Sequence, residues 1–155
     1  LFKSAPLHDI GKVGVADYIL QKPANLNSFE YEIMKMHAQL GYDALKSAED
    51  MLGSNSFLHC GAEIALTHHE KWDGSGYPKG LKGDEIPVSG RLMALADVYD
   101  ALRSKRYYKE SFSHTEAEEI ILKGKGKHFD PDVVDAFLGL SESFQTIAAK
   151  YTDVN

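Results

Sequence analysis

Helical periodicity is the feature that most restricts what this chain can fold into. The clearest helix start is Asn27, which suits the N-cap position, with Glu30 three residues later as in a capping box. Apolar residues then repeat at the spacing of one helix face, and the inward stripe is Ile33, Met36, His37, Leu40, Ala44 and Leu45. No segment shows the strict alternation that is typical of strands. The sequence therefore predicts an all-α fold with a helix over residues 27–48.

The remaining helices follow from the same spacing and from proline and glycine boundaries. They are predicted at 1–12, at 17–20 as a single turn, at 57–69, from Pro87 through Leu102, at 115–123, and from Asp130 onward with Pro131 in the first position. Between Glu70 and Pro87 lies a glycine-rich segment. Its apolar and aromatic side chains, such as Trp72 and Tyr77, predict a long ordered loop packed on the helices.

Length and composition indicate one soluble domain spanning 1–155. The net charge of −6 argues against general affinity for a nucleic-acid polymer. No apolar run approaches the ~20 residues that a membrane-spanning helix needs. The single cysteine, Cys60, excludes an internal disulfide and fits a reducing compartment, so a cytoplasmic location is expected.

Polar residues on the inward faces predict a metal site. An adjacent pair, His8 and Asp9, offers an imidazole nitrogen and a carboxylate that can bridge two ions, and Lys12 shares their helix face. The inward polar groups of four helices are His8, Asp9, His37, His68, His69 and Asp97. Any one histidine alone is more often a satisfied core residue. Burying all these groups without a cation would be costly, and ligands without thiolate favour Fe or Mn, with Zn, Co or Ni left open.

These residues belong to a pattern that resembles the HD-GYP domain, a bacterial group of the HD metal-dependent phosphohydrolases. The matching segments are His8-Asp9-Ile10-Gly11-Lys12, His37, the run from His68-His69-Glu70 through Gly76-Tyr77-Pro78 to Leu81, Ile86-Pro87, Asp97-Val98-Tyr99-Asp100-Ala101-Leu102 and Phe129-Asp130-Pro131. The resemblance covers essentially the whole chain. It implies an HD-type helical bundle that hydrolyses cyclic di-GMP to linear pGpG and in some members onward to GMP.

The resemblance also implies roles for individual residues. The six inward polar groups would hold two divalent metal ions, with Asp9 as the bridging ligand. Lys12 would neutralise the phosphate near the leaving oxygen, so Asp9 and Lys12 are the catalytic candidates. Tyr77, Arg106 and Lys109 would contact the nucleotide together with Lys12. Without the family match, Arg106 and Lys109 read equally well as a solvated basic surface.

Other residues of the pattern are expected to shape the site. The loop and support residues are Asp73, Gly74, Gly76, Pro78 and Asp100. Asp73 and Gly74 are interpreted as loop-shaping, and Asp100 as support for a ligand or for the loop.

Members of this family take a further histidine, and in some cases a glutamate, from upstream of the His-Asp pair. Only seven residues precede His8 here. The domain is therefore expected to be incomplete at its N-terminus, with a third metal not expected. The same gap motivates an alternative: a module that binds cyclic di-GMP without hydrolysing it, or that recruits diguanylate cyclase domains through the Tyr77-Pro78 loop. An upstream sensor or receiver domain is expected in the natural protein.

Overall fold

The computed structural model describes residues 1–104 and 111–151, and within these ranges the regular structure is helical. The α-helices are α1 (Asp17–Leu20), α2 (Ser28–Leu52), α3 (Ser56–Thr67), α4 (Val88–Arg103), α5 (His114–Lys123), α6 (Pro131–Gly139) and α7 (Ser141–Lys150). Short 3₁₀ helices cover Ala5–Leu7, Ile10–Gly14 and Gly83–Glu85. In the described ranges there is no strand, and no helix is long and apolar enough to cross a membrane. The all-α prediction is confirmed.

Helix α2 begins where the sequence predicts, and its buried face keeps His37 and Leu45 of the predicted stripe but is shifted around the helix. The Asn27 side chain accepts the Glu30 N–H at 2.9 Å, and the Glu30 carboxylate accepts the Asn27 N–H at 2.8 Å, which confirms the capping box. The helix runs on to Leu52, and its buried positions are His37, Ala38, Gly41, Leu45 and Glu49. Met36 is 54 % exposed and Ala44 is also exposed, so these two members of the predicted stripe were wrong. The buried face is rotated because the N-terminal segment packs on the Gly41 side of the helix.

The N-terminal segment is not the single helix predicted over 1–12. It forms two 3₁₀ turns, and His8 and Asp9 lie between them. The reason is a tertiary contact: a Cβ on Gly11 would overlap the His37 carbonyl oxygen and the Gly41 nitrogen of α2. Only glycine permits the two backbones to approach so closely. This contact places Asp9 beside His37, with Asp9 Oδ1 3.5 Å from His37 Nε2.

Helix α4 joins the two apolar cores. One core is formed by Leu45 of α2 with Ala62 and Ala65 of α3. The other is built on α4 to α6 and comprises Leu95, Tyr99, Ala117, Ile121, Phe129, Val134 and Phe137. On its other side α4 meets α3, where Gly90 lies against Thr67. The predicted single last helix is divided at Leu140 into α6 and α7.

The long loop after α3 is fixed to the rest of the fold by hydrogen bonds. The Trp72 N–H donates to the His128 carbonyl at 3.1 Å, and the Asp73 N–H donates to the Lys127 carbonyl at 2.8 Å. From α4, the Arg91 guanidinium donates to the Asp130 carboxylate at 3.1 Å and lies 5.3 Å from the centre of the Trp72 ring. The loop is therefore ordered, as the sequence predicts.

Candidate metal centre

Four side chains converge where the N-terminal segment meets α2 and the end of α3. They are Asp9, His37, His68 and His69, and one ligand atom from each lies within 4.8 Å of the others. The close packing of Gly11 on α2 positions Asp9, and His37 lies on the buried face of that helix. His68 is the C-cap of α3, so that His68 and His69 leave the helix where it ends beside α2. The structure thus brings together four of the six predicted ligands in one compact group.

Three histidines are held in the same tautomer by the backbone. In each, Nδ1 lies within hydrogen-bond distance of a carbonyl oxygen three or four residues earlier, so Nδ1 carries the proton and Nε2 carries a lone pair. The pairs are His8 with Ala5 (2.8 Å), His37 with Met34 (2.6 Å) and His68 with Ile64 (3.0 Å). In the neutral imidazoles all three Nε2 atoms are then available as ligands, whereas a protonated His8 donates Nε2–H to Asp9 Oδ2.

Three buried acceptor atoms in the cluster face one another without a hydrogen-bond partner among the described residues. They are Asp9 Oδ1, His37 Nε2 and His68 Nε2. Asp9 Oδ1 lies 3.5 Å from His37 Nε2 and 3.9 Å from His68 Nε2. With the protons on Nδ1, the lone pairs of the two Nε2 atoms and of Asp9 Oδ1 face one another. This arrangement costs free energy unless a cation lies between them. A carboxylate with imidazole nitrogens is a donor set that suits divalent Fe, Mn, Zn, Co or Ni, so the residues present fit a divalent metal.

The other two predicted ligands lie on the opposite side of Asp9. His8 Nε2 is 3.2 Å from Asp9 Oδ2 and 3.7 Å from Asp97 Oδ1 of α4. The two oxygens of Asp9 therefore face different groups: Oδ1 faces His37 and His68, and Oδ2 faces His8 and the Lys12 ammonium. A carboxylate with its two oxygens in separate surroundings would be able to hold two metal ions.

Neighbouring charges and burial set the protonation states that ligands need. Burial opposes ionisation of Asp9, but hydrogen bonds from His8 and Lys12 outweigh it and lower the pKa of Asp9. The hydrogen bond to Asp9 raises the pKa of His8. Burial, with the neighbouring imidazoles, lowers the pKa of His68 to about 4 and that of His69 to about 2. At neutral pH the cluster thus contains an ionised carboxylate and neutral imidazoles at His68 and His69.

Lys12 and Tyr77 border the cluster on different sides. Lys12 Nζ lies 2.5 Å from Asp9 Oδ2, and its side chain is partly exposed. The Tyr77 ring stacks on His69, with ring centroids 4.8 Å apart and planes inclined by 28°. Burial raises the pKa of Tyr77, so its hydroxyl stays protonated and can donate a hydrogen bond. Both side chains adjoin the residues that would hold a metal.

The predicted loop and support residues are not part of the group of four. Asp73 accepts hydrogen bonds from the Ser75 N–H at 2.9 Å and the Ser75 hydroxyl at 2.6 Å, and Gly74 has φ +84°. A Cβ on Gly76 would overlap the backbone at Glu70 and Lys71. Pro78 follows a cis peptide bond, and Asp100 is exposed near the C-terminal end of α4. Arg106 and Lys109 lie outside the described residues.

Sequence reasoning gave no role to Glu70, which organises the loop. Its carboxylate is 2 % exposed and accepts the backbone N–H groups of Lys79 at 2.7 Å and Leu81 at 3.0 Å. Burial raises the pKa of Glu70, against the effect of these hydrogen bonds. The available signal was an acidic residue directly after His68-His69, at the start of a loop rich in backbone N–H groups without partners. Glu70 closes the loop that carries Tyr77.

Comparison with known proteins identifies similar sequences over nearly the full chain. The family described as HD domain matches residues 1–133. The chain is 60% identical over 153 residues to a cyclic di-GMP phosphodiesterase of Vibrio cholerae serotype O1, covering 99% of the chain and 31% of that protein. It is 47% identical over 150 residues to a cyclic di-GMP phosphodiesterase of Thermotoga maritima, covering 97% of the chain and 39% of that protein. A 3'3'-cGAMP-specific phosphodiesterase 2 of Vibrio cholerae is 44% identical, with 97% of the chain and 28% of that protein covered. The chain therefore spans about a third of the length of these relatives.

Proposed function

The chain belongs to the HD domain family and, within it, to the HD-GYP group, and from this premise we propose that it is a metal-dependent phosphodiesterase. Its substrate is cyclic di-GMP, which it hydrolyses to linear pGpG; some members of the family continue to GMP, and the product analysis below distinguishes the two end products. The observation that carries the proposal is the set of three buried, unpartnered acceptor atoms on Asp9, His37 and His68. Relatives named for cyclic di-GMP hydrolysis support the choice of substrate.

Divalent metal binding follows from the family and from the donor set, and we assign two ions to it, Fe or Mn before Zn, Co or Ni. The ligands are His8, Asp9, His37, His68, His69 and Asp97. When bound, such ions act as Lewis acids toward phosphoryl oxygens and lower the pKa of water. Asp9 is the ligand suited to both ions, because its two oxygens face His37 and His8 separately.

The chain's own residues bind and orient the phosphate. Lys12 Nζ lies beside Asp9 Oδ2 and is partly exposed, so its charge can neutralise a phosphate oxygen that approaches the cluster. Tyr77 is a hydroxyl donor at the border of the site, next to His69. We assign Arg106 and Lys109 to further contacts with phosphate or guanine on the basis of the family pattern alone.

The proposal is tested by product analysis on metal-loaded protein. Chelator-treated protein is reloaded with Fe²⁺ or Mn²⁺ and incubated with cyclic di-GMP, and pGpG and GMP are separated by chromatography. Asp9→Ala is expected to lower the rate more than ~100-fold, since loss of a ligand should exceed the 10–100-fold cost typical of outer partners. Asp43→Ala removes an exposed carboxylate of α2 and should retain full activity. Wild-type protein that holds two metals yet consumes no cyclic dinucleotide would rule out the proposal.

The same assay shows which of two candidate substrates, cyclic di-GMP or 3'3'-cGAMP, is hydrolysed faster. One relative is named for 3'3'-cGAMP at an identity close to that of a cyclic di-GMP relative, so both dinucleotides should be compared at equal concentration. Faster turnover of 3'3'-cGAMP would reassign the substrate and leave the reaction class unchanged. Calorimetric binding of cyclic di-GMP without product would instead favour the non-catalytic module. Recruitment of diguanylate cyclase domains and the upstream sensor or receiver domain stay predictions.

A further inference from the structure

His69 differs from the other histidines of the cluster in how its ring is held. His8, His37 and His68 each donate Nδ1–H to a backbone carbonyl. Within residues 1–104 and 111–151, the ring nitrogens of His69 make no hydrogen bond. Instead its ring packs against three others: His68, with centroids 4.0 Å apart and planes inclined by 42°, Tyr77, with centroids 4.8 Å apart, and His37, edge to face with centroids 5.0 Å apart. The orientation of His69 therefore depends on ring packing.

The outer ring of this stack is itself supported from α2. Tyr31 meets Tyr77 edge to face, with centroids 6.4 Å apart and planes inclined by 79°. Lys35 Nζ lies 5.6 Å from the Tyr31 centroid and 5.7 Å from the Tyr77 centroid. The Lys35 ammonium also lies 2.7 Å from the Glu32 carboxylate. One cation is thus shared by two aromatic rings, and one of those rings covers His69.

We propose that Lys35 is a positioning residue that orients His69 toward the metal through the Tyr77 ring. An ammonium within about 6 Å of a ring centroid attracts that ring, and here the attraction acts on the loop residue Tyr77 from the neighbouring helix α2. Holding Tyr77 in place limits rotation of the His69 side chain, which has no backbone hydrogen bond to do so. For His69 the stack replaces the carbonyl partner that metal-binding histidines usually have. The inference rests on the proposed function only in assigning His69 to the metal.

The test measures metal affinity rather than turnover. Competition with a chromogenic chelator for Mn²⁺ or Fe²⁺ compares wild type with Lys35→Gln, which removes the charge, and with Lys35→Arg, which keeps it. Lys35→Gln is expected to weaken metal binding by ~10-fold, at the lower end of the range for outer partners, and Lys35→Arg should restore most of the loss. The matched control is Lys46→Gln. Lys46 lies on the same helix and is paired with Glu49 and Asp50, and no ring contact of its ammonium is present in the described part of the chain.

A second readout needs no metal. In the chelator-treated protein, NMR signals of the His69 imidazole should be sharp in wild type and in Lys35→Arg, and shifted or broadened in Lys35→Gln. Equal metal affinity and equal His69 signals in Lys35→Gln and wild type would overturn the inference. Equal losses in Lys35→Gln and Lys46→Gln would do the same, since they would show a general effect on α2. If wild type binds no metal, the proposed function fails, and the His69 signals alone then decide the role of Lys35.

Discussion

In the cluster, the carboxyl group of Asp9 and the buried imidazole of His68 both have lowered pKa values, and both shifts favour metal binding. Asp9 has a lowered pKa because the hydrogen bonds from His8 and Lys12 outweigh its burial. His68 has a lowered pKa because its ring is buried, and the nearby His8 acts in the same direction. The carboxylate is therefore charged and the imidazole neutral over a wide range of pH. Each is the form of the side chain that coordinates a metal.

The buried imidazole makes the metal-free protein sensitive to acid. The pKa of His68 is about 4 in the folded protein, against a usual value of about 6.5, so the unfolded chain takes up its proton first. The stabilising contribution is complete above pH 6.5 and is lost as the pH falls toward 4. At roughly 1.4 kcal/mol per pKa unit, the loss from His68 is about 3.5 kcal/mol when it is complete, and most of it occurs above pH 4.5. Urea unfolding of chelator-treated protein between pH 7.5 and 4.5 measures it.

Two variants isolate the contribution of His68. His68→Gln should make the unfolding free energy fall less steeply with pH below 6.5, and His69, whose pKa is also lowered, should account for part of the slope that remains. His59→Gln alters a histidine whose side chain is 68% exposed and should keep the wild-type slope. An unchanged slope in His68→Gln would show that the acid sensitivity comes from another group.

At the scale of helices and loops, the features predicted from sequence are those that depend on nearby residues. The caps of α2 and α6 occur where Asn27 and Asp130 predict them, because a cap needs only a side chain and the N–H groups two or three residues later. The 3₁₀ turns around His8 could not be predicted in this way. They depend on the contact of Gly11 with His37 and Gly41 of α2, which lie more than twenty residues further along the chain.

The candidate site shows the same division between local and tertiary information. The residue types that converge, Asp9 with His37, His68 and His69, could be selected because inward imidazoles on several helices are unusual. The packing of Tyr77 on His69 could not be predicted, since no spacing rule relates a loop residue to the face of a ring. The role of Glu70 depends on the path that the loop follows back past it. The assignment of these residues to metal or substrate stays a prediction.

The contact between the N-terminal segment and α2 makes Gly11→Ala a sharp test of how the site is assembled. The added methyl group would overlap the His37 carbonyl oxygen and the Gly41 nitrogen, both backbone atoms that cannot move aside alone. We expect a loss of about 1–3 kcal/mol in unfolding free energy, the range for overpacking, and weaker metal binding because Asp9 moves away from His37. Gly139→Ala is the control, since its Cβ would meet no atom within 4 Å. Wild-type stability and metal affinity in Gly11→Ala would contradict this account.

In the molecule as a whole, α4 connects the candidate site to the C-terminal core. Asp97 on this helix lies 3.7 Å from His8, while Leu95 and Tyr99 on the same helix are buried in the core with Ile121. The N-terminal segment, α2 and the end of α3 supply the other candidate ligands. The C-terminal helices therefore contribute to the site by supporting α4, and loss of packing there should lower stability without altering the ligands.

Because the candidate site and the C-terminal core lie in different parts of the fold, metal binding and core packing should contribute independently to the free energy of unfolding. A metal that binds only the folded chain raises the free energy of unfolding by about 2.7 kcal/mol when its concentration is 100 times its Kd. Ile121→Val should lower the starting stability by about 0.5–1.5 kcal/mol, because a buried methyl group is lost in the C-terminal core. The increment produced by metal should stay the same in this variant, since Ile121 is not one of the ligands. Asp9→Ala should remove the increment.

Urea titrations with and without Mn²⁺ measure the increment in wild type, Ile121→Val and Asp9→Ala. A full increment in Asp9→Ala would show that the stabilising metal binds outside the cluster of Asp9, His37, His68 and His69.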